Sequence, residues 1–600
     1  MPPFPTIPTL HAAYAAGLDA RDAVIEAYRR LAAADDPGIF ISLVPEAAAM
    51  AAAAALGPFD PVKKPLWGVP FAVKDNVDVA GLPTTAACPG FAYTPDETAP
   101  AVARLLAAGA ILIGKTNLDQ FATGLVGLRT PYPAPRNACD PTYVPGGSSS
   151  GSAVAVARGI VAFAVGTDTA GSGRVPAGLN NIVGLKPSLG AVSSRGMVPA
   201  CRTLDTLSIF AGTVADADAA FRTMAGYDPL DPWSRPLPVA PAPAGLPSGV
   251  RLGVPDAGGR RFGGDPLSEV AFDATLGELE AIVGPGLPVD LAPMFAVADL
   301  LYDGPWVAER YAAIRAVMED RPEILHPTTR AVIAGAVVHT AADAFAGLYR
   351  LAERRRAAET VWGSVDVLAV PTFPRPRTAA DVEADPIGPN AELGTYTNFV
   401  NLLDWCALAV PGFPRTDGFP SGVTLLGPRG HDGLLAAVGA RLHAACGPTV
   451  GVTTAAVPSA KIGPSRARPG EIEIAVVGAH LSGLPLNREL TERGARFLRA
   501  VTTEPRYKLY ALPGGPPTRP GLLRTADGRG GTIDTEVWAL PTAGFGDFVS
   551  GIPAPLGIGT LHLSDGTRPK GFLVEAAGVA GAEEITHLGS WRRYVADRAA

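Results

Sequence analysis

The stretch VPGGSSSGSAVAVARGIVAFAVGTDTAGSGRVP, residues 144–176, constrains the fold more than any other part of this 600-residue chain. It holds two clusters of small residues, Gly146-Gly147-Ser148-Ser149-Ser150-Gly151-Ser152 and Thr167-Asp168-Thr169-Ala170-Gly171-Ser172-Gly173-Arg174. Between them, Ala153 to Val165 is almost wholly apolar, broken only by Arg158 and Gly159. A helix followed by a short buried strand would bring both clusters to one side of a core. Glycines let backbone N–H groups turn toward a ligand, and serines supply hydroxyls close by. Taken alone, either cluster reads equally well as ordinary Gly/Ser turns.

A third element upstream changes that balance. In Gly68-Val69-Pro70-Phe71-Ala72-Val73-Lys74-Asp75-Asn76, Lys74 follows an apolar run that predicts a buried strand. A lysine there usually snorkels to the surface. One that stays buried tends to lose its proton and can act as a base. Ser172 is the best nucleophile candidate, and the backbone N–H groups of Thr169, Ala170 and Gly171 before it are candidates for an oxyanion hole. No histidine lies near either cluster, so a Ser–His–Asp triad has no local support.

Lys74, Ser148 and Ser172 together resemble the Ser–Ser–Lys triad of the amidase signature family. The words GVPFAVKDN, PGGSSSGSA and GTDTAGSGRVPA carry the resemblance, which spans roughly residues 20–445. It implies an α/β fold with a mixed central β-sheet covered by helices. It also implies that Ser148 sits in a cis peptide and relays a proton from Ser172 to a neutral Lys74. Ser149 has two readings, as a further polar group at the substrate or as structure; Ser150 and Ser152 read as structural. Asp168 and Arg174 read as a pair bracing the nucleophile loop. The chain departs from the family at Gly173, usually a bulky aliphatic residue, and at Ala170, usually glycine. Alanine keeps its N–H, so an oxyanion hole can survive there, and the two departures imply a pocket that is either loosened or reshaped.

Composition narrows the function classes. The net charge of −7 and the lack of a basic block argue against nucleic acid as a partner. Five scattered cysteines without a CxxC pair indicate neither zinc nor a disulfide framework, and no metal or cofactor is expected. No run of about 18 apolar residues predicts a membrane span. The N-terminus lacks a signal-peptide pattern, and a reducing cytoplasm is the simplest location. The length calls for more than one domain.

Along the chain, helical spacing covers 8–34, 47–56, 99–108, 205–225 and 267–284, and helices dominate 296–363. Strands are expected at 67–79, 110–114, 365–371 and 406–411. A helix over 433–446 takes Asp432 as its N-cap. Pro236 to Pro247 reads as a surface loop. Residues 447–470, rich in Gly, Pro, Ser and Thr, read as a linker between an amidase domain, 1–446, and a smaller mostly β domain, 471–600. In the latter, strands are expected at 471–478, 506–512, 532–540 and 570–576.

Two features bear on substrate. Leu301 to Arg310 resembles a segment of the allophanate hydrolases in which a tyrosine and an arginine, here Tyr302 and Arg310, hold the substrate carboxylate. An arginine fork suits that task because it donates two parallel charge-assisted bonds. Without the family, the same residues read as an exposed helical arginine and a core tyrosine. Gln120 to Leu125 matches the loop beside the substrate, with Gly124 as a backbone contact. The C-terminal part resembles the γ-glutamyl cyclotransferase-like domain of the two-domain allophanate hydrolases. Within Val476 to Asn487, His480 matches a histidine credited there with decarboxylating the hydrolysis product; the competing reading is a domain that supports folding and dimer formation. Arg488 and Glu536 read as its neighbours or as surface ion pairs. The resemblance implies ammonia release from allophanate (urea-1-carboxylate), a homodimer, and functional coupling to a separate urea carboxylase or a biuret-degrading enzyme. The rivals are a general small-amide or malonamate amidase and an amidotransferase-like subunit.

Overall fold

A computed structural model describes residues 2–237, 246–247, 249–302, 304–447, 449–457, 466–467, 470–526 and 529–599. The chain forms two compact units, Met1–Val239 with Arg251–Ala460, and Ala240–Val250 with Lys461–Ala600. Most of the expected loop at 236–247 and much of the expected linker lie outside the described residues. Residues 449–457 belong to the first unit rather than to a linker. Val450 is buried in its core, the Gly451 N–H donates to Asn181 O and the Val452 N–H to Ala157 O. Polar composition misleads here, because a single buried valine and two backbone bonds are enough to pin the segment.

The first unit is built on an eleven-stranded mixed sheet. Its strands in chain order are β1 (Phe40–Leu43), β2 (Pro70–Lys74), β3 (Ile111–Thr116), β4 (Phe163–Asp168), β5 (Val183–Lys186), β6 (Thr206–Ala211), β7 (Leu252–Pro255), β8 (Leu287–Val289), β9 (Val367–Pro371), β10 (Cys406–Pro411) and β11 (Gly422–Gly427). Across the sheet they run β1-β3-β2-β4-β6-β5-β10-β11-β9-β7-β8. The patch β3–β2–β4 is parallel, so the carboxyl ends of β2 and β4 lie side by side. Open α/β sheets place ligands at such ends.

The central strands are buried on both faces, which explains their unbroken apolar runs. The same property hid one of them. The apolar stretch expected as a helix at 205–225 begins as strand β6, held between β4 and β5, and turns helical only at Val214–Met224. Ser150–Ala157 is the expected helix between the small-residue clusters, and all eight of its residues are buried. A helix apolar on every side belongs inside a core; its Ala153, Val154 and Val156 pack with Ala72, Ala164 and Phe210. The helix Asp432–Cys446 begins at Asp432 rather than being capped by it. The Asp432 carboxylate instead accepts bonds from the backbone N–H and hydroxyl of Ser188, at 2.8 and 2.6 Å.

The second unit is mostly β. One sheet orders β13-β16-β12-β18-β17 and a second orders β15-β14-β19. The strands are β12 (Glu471–Val476), β13 (Arg496–Thr502), β14 (Tyr507–Leu512), β15 (Arg519–Arg524), β16 (Asp534–Pro541), β17 (Leu556–Thr560), β18 (Lys570–Val574) and β19 (Glu583–Glu584). Its own core gathers Ile474, Leu498, Leu509, Val537, Leu561 and Trp591. Among the described residues, no single helix is long and apolar enough to cross a membrane.

Candidate active site

Lys74 is the last residue of β2, and Thr167 and Asp168 end β4 beside it. The lysine cannot snorkel, because the sheet buries it completely. Its Nζ lies 2.8 Å from Ser148 Oγ and 2.7 Å from Thr167 Oγ1. Ser148 Oγ lies 2.8 Å from Ser172 Oγ, so amine, relay hydroxyl and nucleophile form one unbroken chain. The Gly147–Ser148 peptide is cis. Thr167 was not singled out in the sequence, although it stands inside the second cluster.

Burial lowers the Lys74 ammonium from 10.5 to about 7, against the opposing pull of Asp119, Asp168 and Asp205. A fall of that size favours the neutral amine by about 5 kcal/mol relative to water. A neutral amine has one lone pair and two N–H groups. With one N–H donated to Thr167, the lone pair is free to accept from Ser148.

The nucleophile loop is held from several sides. Arg174 lies across Asp168 with two bonds of 2.9 Å, both side chains fully buried. Burial alone would raise the Asp168 carboxyl; Arg174 outweighs it and keeps the group below its usual value. Arg174 also donates to Thr397 O and Asn401 Oδ1. Asn401 donates to Asp168 O and Leu204 O, and Thr397 Oγ1 donates to Ala170 O at 2.7 Å. No local signal marks these two residues, which lie more than 220 positions downstream of the loop they hold.

The three N–H groups expected as oxyanion donors are not equivalent. The Gly171 N–H donates to Asp168 Oδ1 at 2.9 Å, which commits it to bracing. Among the described residues, the N–H groups of Thr169 and Ala170 have no acceptor. Gly171 is constrained in another way: its φ is +126°, and a Cβ there would stand 2.3 Å from Thr397 Oγ1. A Cβ at Gly173 would meet Ser208 Cβ at 2.6 Å, so Ser208 of β6 leaves no room for a side chain there. Ser149 bonds to the backbone of β4. Its hydroxyl donates to Thr167 O at 3.2 Å and accepts from the Thr167 N–H at 3.3 Å, tying the helix start to β4.

Arg310 is 2% exposed, on the helix Trp306–Ala313, and not on the surface. Its Nη1 donates to Ala122 O at 3.4 Å and Thr123 Oγ1 at 3.2 Å, and its Cζ stands 5.7 Å from the Tyr302 ring centroid. Its Nε has no partner, and among the described residues no carboxylate lies within ion-pair distance. The loop it touches also meets the relay serine: Asp119 N–H donates to Ser148 O, and Gly147 N–H to Leu125 O. Gly124 sits in that loop, packed so that a Cβ would stand 2.6 Å from Asp119 Oδ2. Asp205 links the two halves of the site. Its carboxyl accepts from Thr169 Oγ1 at 2.6 Å, and burial raises it to about 6, with Arg310 among the groups opposing the rise.

In the second unit, His480 Nε2 is 3.0 Å from Glu489 Oε2, and its ring stacks on Phe572 and meets Phe548 edge-on. These side chains line a pocket with Arg519 and Ile552. Burial lowers the imidazole, the bond to Glu489 raises it, and the Arg519 cation lowers it again. Glu536 is not a surface group: it is 1% exposed and accepts from Ser482, Trp538 and Arg592. Arg488 is not its partner.

With the geometry in place, comparison with known proteins is direct. The Amidase family matches residues 22–436, and the Allophanate hydrolase C-terminal domain matches 472–596. The chain is 44% identical over 544 residues to the urea amidolyase of Saccharomyces cerevisiae, covering 88% of this chain and 30% of that protein. It thus spans under a third of the length of that relative. It is 35% identical to a glutamyl-tRNA(Gln) amidotransferase subunit of Chloroflexus aggregans, over 70% of this chain and 92% of that one. The solved allophanate hydrolase of Kluyveromyces lactis superposes with a TM-score of 0.79 at 38% identity, covering 99% of both chains. The chain belongs to the amidase family and carries an allophanate hydrolase C-terminal domain.

Proposed function

We propose that this protein hydrolyses allophanate at its terminal amide. The observation that carries the reading is Arg310, a buried guanidinium whose Nε has no partner and which makes no direct ion pair among the described residues, Asp205 and Glu309 acting on it only at longer range. A buried guanidinium with an N–H left unpaired gains from a direct charge-assisted pair, and a substrate carboxylate supplies one. Tyr302 and the 120–125 loop form the surrounding wall.

In the reaction, Ser148 takes the proton of Ser172 while passing its own to the Lys74 lone pair. Ser172 Oγ bonds to the amide carbon, and the carbonyl electron pair moves onto oxygen, facing the Thr169 and Ala170 N–H groups. The proton returns through Ser148 to the departing nitrogen, the C–N bond breaks, and ammonia leaves. Water repeats the sequence on the acyl-enzyme and releases the dicarboxylate N-carboxycarbamate. In the second unit, His480 then protonates the nitrogen of this product as a second C–N bond breaks and CO2 departs, leaving carbamate. Carbamate decays to ammonia and CO2, so each allophanate yields two of each. A separate carboxylation of urea, or the breakdown of biuret, supplies the substrate.

The test is a panel of amides with and without a carboxylate. Allophanate is expected to release ammonia far faster than fatty or aryl amides, and Arg310→Ala to lower kcat/KM for allophanate by about 100-fold or more while sparing uncharged amides. Rapid cleavage of aryl amides with none of allophanate would replace this reading with a general amidase. For the second step, His480→Ala is expected to slow decay of the dicarboxylate without slowing release of the first ammonia; unchanged decay would leave the second unit a structural part.

A further inference from the structure

The pocket of the second unit is apolar on most of its wall, with Phe548, Phe572 and Ile552, and carries three charged or titratable side chains, His480, Glu489 and Arg519. Two of these are already joined: Glu489 holds His480 Nε2 at 3.0 Å. The imidazole, fixed between two aromatic rings, therefore has one orientation, and among the described residues its Nδ1 has no partner. Arg519 opens strand β15 and lies close enough to His480 to lower its proton affinity. Among the described residues it has no acidic partner. Glu489, the one carboxylate of the pocket, is engaged by the histidine. The pocket thus presents a guanidinium fork and a ring nitrogen inside an apolar wall, with its single negative charge turned to the imidazole.

We propose that Arg519 is the carboxylate anchor of this pocket and holds a small dicarboxylate with its central atom against His480 Nδ1. A guanidinium grips one carboxylate through two parallel bonds. Gripped at one end, a three-atom dicarboxylate turns its other carboxylate toward the apolar rings, where a charge is poorly solvated and departure as neutral CO2 is favoured. The C–N bond to that carboxylate breaks, the pair stays on nitrogen, and nitrogen takes the Nδ1 proton of the His480 imidazolium, whose other N–H is held by Glu489; water then returns the proton to the ring. This assignment rests on the reading of the second unit as the site where the hydrolysis product loses CO2.

The experiment uses the full-length protein with 15N-labelled histidine, the His480 signal being assigned by its loss in His480→Gln. Malonate, the methylene isostere of the dicarboxylate, is the probe. In wild type it is expected to shift the His480 ring signals saturably. In Arg519→Gln, the malonate concentration needed for half the shift is expected to rise about tenfold or more, the loss of one charge-assisted pair. Arg519→Lys keeps the charge without the fork and is expected to fall between the two; it also serves if the glutamine variant does not fold. Equal malonate affinity in wild type and both variants would overturn Arg519 as the anchor while leaving the pocket as a dicarboxylate site. A His480 signal that malonate never moves in wild type would overturn the anchor and the underlying reading together.

Discussion

A single lysine decides the chemistry of the first unit, through its surroundings more than through its own properties. Lys74 ends a strand with neighbours on both sides, so its amine has no route to water. Burial pulls its proton affinity down to about 7, close to where a general base works best. The sign follows directly. In the proposed mechanism the neutral amine is the working form, so kcat/KM for ammonia release is expected to fall tenfold per pH unit as pH drops below about 7; a rate independent of pH between 5 and 8 would contradict it. Stability is linked to the same group. Below pH 7 folded and unfolded chains both hold the proton and the full burial cost stands. Between 7 and 10.5 only the unfolded chain holds it, so this residue's contribution to stability improves as pH rises.

At the scale of elements, the nucleophile loop is a turn between β4 and the short helix Val175–Leu179, clamped by the helix Asn398–Leu402. Asn401 donates to two carbonyls, Asp168 O at the start of the loop and Leu204 O just before β6. Asn401→Ala leaves both without their donor, at about 1–3 kcal/mol each. It is expected to lower the thermal midpoint and to cut kcat by about 10- to 100-fold, since small displacements of reacting groups are costly; steady-state kinetics and a melting curve check both. This clamp shows where sequence reading stops. Lys74, Ser148 and Ser172 could be named together from the sequence because the words around them resemble those of the amidase signature family, and the fold brings all three into one hydrogen-bonded chain. The Asp168–Arg174 brace was legible because its partners are six residues apart. Thr397 and Asn401 stand in a plain helical stretch, and only the folded sheet brings them to the loop. Strand β6 was misread for a related reason, since a strand buried on both faces has no alternation to betray it. Of the three candidate oxyanion donors, the Gly171 N–H is taken by Asp168, a bond that the sequence does not announce.

Across the whole molecule, each unit encloses its own apolar core. Independent cores unfold independently unless an interface couples them. Calorimetry is expected to resolve at least two transitions, and a carboxylate ligand that occupies Arg310 to raise one of them by mass action. A single transition that shifts as a whole would show coupling between the units. The division into an eleven-stranded α/β unit and a smaller β unit follows the change in composition. The boundary itself does not, because the first residues past the last helix remain stitched to the larger core.

The relay contains one hydroxyl, and that has a consequence for the order of events. Ser148 can carry one proton at a time, and whatever nitrogen or oxygen exchanges protons with it must occupy the same berth. In the proposed mechanism ammonia has to vacate that berth before water can enter, as at a turnstile. The acyl-enzyme waits with the berth briefly empty, and any small nucleophile that fits can step in ahead of water.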